Sequence, residues 1–476
     1  MPSDFRVIIV GGSIAGLTLS HCLNAAGIDN VVLEKHGEIT SHVGASIGVL
    51  PNGARILDQL GLFYKVEKLI EPLTTAHIAY PDGFVLSSDF PVTVKERFGR
   101  PMAFLSRQEL IQVLHSSFDD ASHVHVNQRV TKVEQGTDRI RVITDNGTSW
   151  EGDLVVGADG IHSKVRSEMF SFDNSPHLAR IALREHKELT VEYSCIFGMS
   201  SAVTGLEVGE QVACFHDGLT IMSYQGLGGR VYWFVVEKLD RKYTYPHLPR
   251  YSTQDAISGC ERLGNVWLKG NIHFRHIWES RETFAMTPLE EGVIRAWHSG
   301  RIVCIGDSIH KMTVNLGQGA NLAIEDAAQL SNLLYEMLSK KPNTKPTGEE
   351  IHTLLETFQR THLRRATHVS MMSALMARLQ ARQGLLLTVL VRYVPLLFPN
   401  LPAELVSAVV HDSPFLKFLP LPAREGKGWP TVARAKACGV AMIISLAVVL
   451  VSMWLRAFFV VPSFEPLQTQ INTTLF

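Results

Sequence analysis

The sequence predicts an α/β fold in which a parallel-sheet lobe is interrupted by a β-rich insertion and followed by a C-terminal transmembrane helix. Three observations carry this. Residues 5–34 read as strand, glycine turn, helix and strand, and the strand–glycine–helix pattern returns from Arg301. Between Thr190 and Phe284 the chain is rich in Val, Tyr, Phe and Trp with strand-like alternation. After Lys436 comes a long run without charge. A chain of 476 residues also exceeds what one hydrophobic core usually serves, so more than one lobe is expected.

Phe5 to Val10 (FRVIIV) is a short apolar run ending in glycines, the pattern of a buried parallel strand. Ile14 to Ala26 has helical spacing of apolar residues and stops at Gly27. Asn30 to Leu33 makes the next strand and ends in Glu34, completing one βαβ unit. Ala76 to Leu86 alternates around Pro81-Asp82-Gly83, a hairpin. Arg107 to Phe118 reads as an amphipathic helix, Val124 to Trp150 as a meander turning at Gly136 and Asn146-Gly147, and Leu154 to Gly157 as a buried strand. Gln211 to Ser223 and Arg230 to Glu237 are the clearest strands of a separate sheet. Ile302 to Ile305 is again a buried strand, followed by a glycine-bearing loop and a helix from Gln318 to Leu338. The expected organisation is therefore a discontinuous lobe (1–75, 101–175, 286–340), a β excursion (76–100), a β-rich lobe (176–285) and a helical region (341–425).

A formal net charge of -1, with no basic stripe, argues against a nucleic-acid partner held by electrostatics. The six cysteines are scattered without CxxC pairs, so neither a metal site nor a disulfide framework is expected. Met1 to Arg6 lacks the features of a signal peptide. Ala437 to Leu455 carries no charge, and with its extension to Val461 it is long enough to cross a bilayer. Trp454 and Arg456 sit where interfacial residues belong, and Arg424, Lys427, Arg434 and Lys436 precede the run. Positive-inside logic then leaves the large lobe in the cytosol on a single-pass anchor, with endoplasmic reticulum the expected membrane and Asn472-Thr473-Thr474 a lumenal glycosylation sequon. Gly384 to Phe398 is too short, and too broken by Arg392 and Pro395, to span; it is either an interfacial segment or a packing helix.

Three segments carry the chemistry. Gly11-Gly12-Ser13-Ile14-Ala15-Gly16 follows a strand and opens a helix, as a dinucleotide fingerprint requires, although Ser13 stands where a glycine is usual. Its backbone N–H groups can approach a pyrophosphate, and Glu34 is within range of a ribose. Gly157-Ala158-Asp159-Gly160 ends a second strand, and Gly306-Asp307-Ser308-Ile309-His310 ends a third, with Gly317-Gln318-Gly319-Ala320 entering the long helix. Simple N-capping is the competing reading of Asp159 and Asp307, and His310 reads as a packed loop histidine.

In this order the three segments resemble the class A flavoprotein monooxygenases of the para-hydroxybenzoate hydroxylase type. The resemblance implies a Rossmann-like FAD-binding domain, with Glu34 on the adenosine ribose, Asp307 on a ribitol hydroxyl, and Gly48, Arg107 and Ala320 lining the flavin. It implies that Asp159-Gly160 serves FAD and NAD(P)H, and that O2 adds to the flavin C4a to give a hydroperoxide that delivers one oxygen atom. The family usually has proline where this chain has Val314. VGGSIAGL, Val49-Leu50-Pro51-Asn52-Gly53 and GDSIHKMT further resemble a fungal subgroup, the FAD-dependent epoxidases of meroterpenoid and indole-diterpene biosynthesis. That likeness implies a hydrophobic prenylated substrate and epoxidation of a prenyl alkene, with aromatic hydroxylation, prenyl reduction or a non-enzymatic membrane flavoprotein as alternatives. Epoxidation needs a close-fitting apolar pocket, for which Phe197, Met199, Phe215, Met222, Tyr224 and Phe234 are candidates and Tyr224 the candidate catalytic group.

Overall fold

In the computed structural model, short apolar runs pair side by side into a parallel sheet ordered 298–299, 302–304, 154–157, 6–10, 29–33, 124–125. The description covers residues 5–429 except 41–45, 137, 173–188, 246 and 343; the run 437–461, Cys438 and Asn472 lie outside it. Only the edge strand 298–299 is antiparallel. Val10 lies opposite both Leu33 and Gly157, and Gly157 opposite Cys304. The carboxyl ends of four strands are thus level, and the loops carrying Gly11, Glu34, Asp159 and Asp307 leave along one edge. From strand Arg6–Val10 the chain builds first to one side and later to the other, so this edge is a topological switch point, where open α/β sheets bind ligands.

The long helix Gly319–Lys340 packs on helices Ile14–Ala25 and Pro51–Gln59. A three-stranded antiparallel meander, 130–135, 140–144 and 149–152, turns at Asn146-Gly147, where Gly147 has φ of +81°. The helix that begins at Arg107 ends at His115 rather than running to Phe118, because Ser116 closes its last turn and Ser117 bonds back to Val113.

The second sheet has eight strands ordered 310–311, 281–293, 190–200, 231–244, 219–225, 210–216, 75–79, 85–88. Strand Thr75–Ala79 joins it in parallel with Glu210–His216, so the hairpin at Gly83 belongs to this sheet. Successive side chains point to opposite faces. Cys195, Phe215, Met222, Tyr224 and Phe234 enter one apolar cluster, while Ile196, Cys214, Ile221, Trp233 and Val235 enter another. The second face is covered by helices Thr253–Arg262 and Phe274–Glu279. The first meets Leu50 and Phe104 of the parallel-sheet lobe, and Val391 and Val406 of two further helices. These are Gly384–Leu397 and Leu401–Val410, whose axes differ by 102°. Among the described residues no single helix is long and apolar enough to cross a membrane.

Candidate functional site

The switch-point edge is built on glycines that tolerate no side chain. Gly11 has φ of +113° and donates to Leu33 O at 2.8 Å, and a Cβ there would lie 2.4 Å from Ala158 O. A Cβ on Gly16 would lie 2.0 Å from Gly11 O, and one on Gly12 would lie 3.0 Å from the Glu34 Cβ. Ala15 faces Gly306, whose own added Cβ would come within 3.1 Å of it.

Two helices point their N-termini at this edge, and neither has a side-chain cap: Ile14–Ala25, after Ser13, and Gly319–Lys340, after Gln318. Helices Arg107–His115, Thr253–Arg262 and Gly348–Gln380 each have a full capping box. An uncapped first turn keeps its N–H groups available to an anion. The Ser13 hydroxyl is not used as a cap because it accepts a hydrogen bond from the Arg107 guanidinium at 2.6 Å. Burial lowers the Arg107 pKa, opposed by the negative charges of Asp307 and Glu34, so Arg107 joins all three elements electrostatically.

Glu34 Oε2 accepts from Gly12 N at 2.7 Å, and Oε1 accepts from His36 N at 3.0 Å and lies 2.6 Å from His36 Nδ1. Burial works to raise this carboxyl, but the two N–H groups and the imidazole outweigh it and hold the carboxyl below its ordinary range. Asp159 does cap a helix: it accepts from Ser163 Oγ at 2.5 Å, Lys164 N at 2.7 Å and Val165 N at 3.1 Å. Burial nonetheless leaves its pKa raised. Asp307 does not cap. It pairs with Lys311, whose ammonium burial disfavours and Asp307, then Glu290, hold above its ordinary value.

Behind these residues lie partners that no sequence motif marks. Arg166 donates to Ser308 O and, at 2.8 Å, to Ile161 O, tying the second segment to the third. Asp326 accepts from Gly306 N at 2.6 Å and lies 2.7 Å from His310 Nε2 and 2.8 Å from His362 Nε2, all three side chains buried. Asn321 donates to Gly48 O at 2.9 Å and Gly317 O at 2.8 Å, and accepts from Leu50 N at 3.0 Å. Gly48, Gly317 and the start of the long helix are therefore held by one amide. The space beyond that helix start is open, since a Cβ on Gly319 would meet nothing within 4 Å, and Ala320 is half-buried beside it.

Val314 opens a short turn ending at Gly317, and packs against the apolar cluster that contains Leu50, Phe104 and Tyr224. Of the aromatic candidates, Phe215, Tyr224 and Phe234 are buried in this cluster with Met199 and Met222, and Phe197 packs against it half-buried. Tyr224 stacks on Phe104 with centroids 3.6 Å apart, and its hydroxyl donates to the Met222 Sδ at 3.6 Å. Burial raises its phenol well above the ordinary value.

FAD suits this edge. The glycine turn and uncapped helix fit a pyrophosphate, Glu34 and Asp307 are acceptors at two strand ends, and the loop before Gly319 meets an apolar cluster through Val314 and, at Gly317, Leu50. Comparisons with known proteins agree. Residues 4–178 and 269–373 match a family model described as FAD binding domain, and the stretch between them holds the middle strands of the eight-stranded sheet. The chain is 49% identical over 462 residues to the FAD-dependent monooxygenase atmM of Aspergillus flavus, covering 97% of this chain and 96% of that one. It is 46% identical over 427 residues to the FAD-dependent monooxygenase paxM of Penicillium paxilli, covering 90% of each. Among solved structures, Klebsiella pneumoniae HpxO complexed with FAD and uric acid is similar in fold, with a TM-score of 0.64, 21% identity and coverage of 82% of this chain and 92% of that one.

Proposed function

Because the chain belongs to the FAD-binding-domain family of FAD-dependent monooxygenases, we propose that it epoxidises an alkene of an apolar, prenylated substrate, using NAD(P)H and O2. FAD is its cofactor, and when bound supplies acceptance of hydride and activation of O2. In this reading the Gly11–Gly16 turn holds the pyrophosphate, Glu34 the adenosine ribose, Asp307 a ribitol hydroxyl, and the Gly317–Gly319 loop the ring system.

The observation that carries the substrate class is the wall beside that loop. Leu50, Phe104, Val314, Met222, Tyr224 and Phe234 belong to one apolar cluster. Such a wall excludes water and orients a hydrocarbon by shape, whereas activating a phenol for ring hydroxylation calls for a polar group. Tyr224 is the candidate for orienting the oxygen being delivered. Its hydroxyl has only a thioether acceptor among the described residues, so it can turn to a better one. The apolar run 437–461, uncharged as far as Leu455, would anchor the enzyme with its flavin lobe cytosolic, at the bilayer into which such a substrate partitions.

The test is product formation in microsomes bearing the full chain and supplied with a prenylated substrate. The expected product is heavier by one oxygen atom and requires both NADPH and O2. A product that gains only hydrogen contradicts the proposal.

A further inference from the structure

We propose that helix Gly384–Leu397 lies in the surface of a lipid bilayer, its outer stripe inserted, at the mouth of the apolar cluster that reaches the flavin loop. Of fourteen large hydrophobic residues exposed among the described residues, nine fall within 371–398, so the exposure is concentrated on one part of the surface. Leu385, Leu386, Val389, Tyr393, Leu396 and Leu397 recur at helical spacing and form a stripe along one side. That stripe carries no charge. Arg392 is turned away from it to pair with Asp82 at 2.6 Å, with its guanidinium 4.8 Å from the Phe84 ring centroid.

The inner side is tied down where Tyr80 donates to Val391 O at 3.0 Å, and the chain just before the helix where Gly218 N donates to Ala381 O at 2.8 Å. Val391 and Val406 pack on the same buried cluster as Phe104, Tyr224 and Val314, so apolar contacts continue from the exposed helix to the Gly317 loop. The helix is too short to span, at 14 residues against about 20 for a bilayer, and the bend of 102° before Leu401–Val410 prevents one straight span. An amphipathic helix of this kind lies in the plane of the interface.

The chain itself points to a bilayer as the occupant. Trp429 packs on Phe98 with centroids 4.9 Å apart, and Arg97 beside it pairs with Glu404 of the second helix at 2.6 Å. Only residues 430–436, including Arg434 and Lys436, separate Trp429 from the uncharged run beginning at Ala437. The choice of a bilayer thus rests on 437–461 acting as the anchor, as in the proposed function.

The experiment is photolabelling of the full chain in microsomes by a phospholipid with a diazirine at mid-acyl depth, mapped by peptide mass spectrometry. Label on the stripe and on 437–455 is expected. Label on 437–455 but not on 384–398 overturns the docked helix and leaves the anchor standing. Label on 384–398 alone supports docking and overturns the anchor, and label on neither overturns both. An unlabelled 384–398 that cross-links to a second copy of the chain also overturns the proposal.

Discussion

The Arg107 guanidinium reaches the Ser13 hydroxyl at 2.6 Å, and this contact explains why a serine can stand within the glycine turn. Drawn to Arg107, the Ser13 side chain leaves the first turn of helix Ile14–Ala25 uncapped and open to a phosphate. The two residues should therefore contribute unequally to FAD binding. Ser13→Gly removes one charge-assisted hydrogen bond within the protein, worth about 1.5–3 kcal/mol locally, of which only a part, about tenfold or less, should reach the FAD Kd. Arg107→Ala also leaves Glu34 and Asp307 without their shared cation and should cost about 1.5–3 kcal/mol or more, roughly 10- to 100-fold. Flavin fluorescence titration measures both, and equal effects would contradict this account.

Asp307 pairs with Lys311 and caps no helix, so removing it should spare the fold. Asp307→Ala is expected to give a folded, colourless protein with unchanged far-ultraviolet dichroism. Full retention of yellow FAD would mean that the carboxylate does not hold the cofactor.

Two glycines on either side of Asn321 should behave oppositely. A Cβ at Gly53 would lie 2.3 Å from Asn321 Oδ1, displacing the amide that holds Gly48, Leu50 and Gly317. Gly53→Ala should lower stability by about 2 kcal/mol or more in denaturant titrations. Gly319→Ala enters open space and should leave stability nearly unchanged while weakening FAD binding, because that space is assigned to the flavin.

The glycine turn and the acidic strand ends were readable because each is a local signal: backbone crowding at Gly11 and Gly16, and a carboxylate just after an apolar run at Glu34. Their partners were not. Asp326 meets His310 across 16 residues and His362 across 36, and Arg166 meets Ser308 across 142, pairings set only by tertiary packing. Asp159 and Asp307 look alike in sequence, yet one caps a helix and the other pairs with Lys311. The difference lies in the element each one enters: after Asp159 a helix opens at Lys164, whereas Asp307 sits within Gly306–Ser308, only a short turn. Val314, where proline is usual, proves to be part of the apolar wall.

The buried His310–Asp326–His362 group should make stability depend on pH. Burial opposes the Asp326 charge, but His310 and then His362 outweigh it and hold the carboxyl far below its ordinary range. Burial likewise opposes a charged His310, and Asp326, aided by the more distant Asp307, outweighs it and raises that pKa. The Asp326 contribution is complete above the unfolded carboxyl value of about 3.9 and is lost as pH falls through the folded value. The His310 contribution is complete below the unfolded value of about 6.5 and is lost as pH rises through the raised one. Tm should therefore be highest between about pH 4 and 6.5 and fall on the alkaline side. Asp326→Asn should lower Tm throughout and abolish the alkaline fall; a variant that keeps the same alkaline slope would contradict the assignment.

The proposed reaction is oxygen transfer to a prenyl alkene at the apolar wall beside Gly317. Its most direct measurement is turnover under oxygen-18 gas, with the label located in the product by fragmentation mass spectrometry. One labelled oxygen bridging the two former alkene carbons is the expected result. Label on an aromatic ring, or a product with no label, would contradict it.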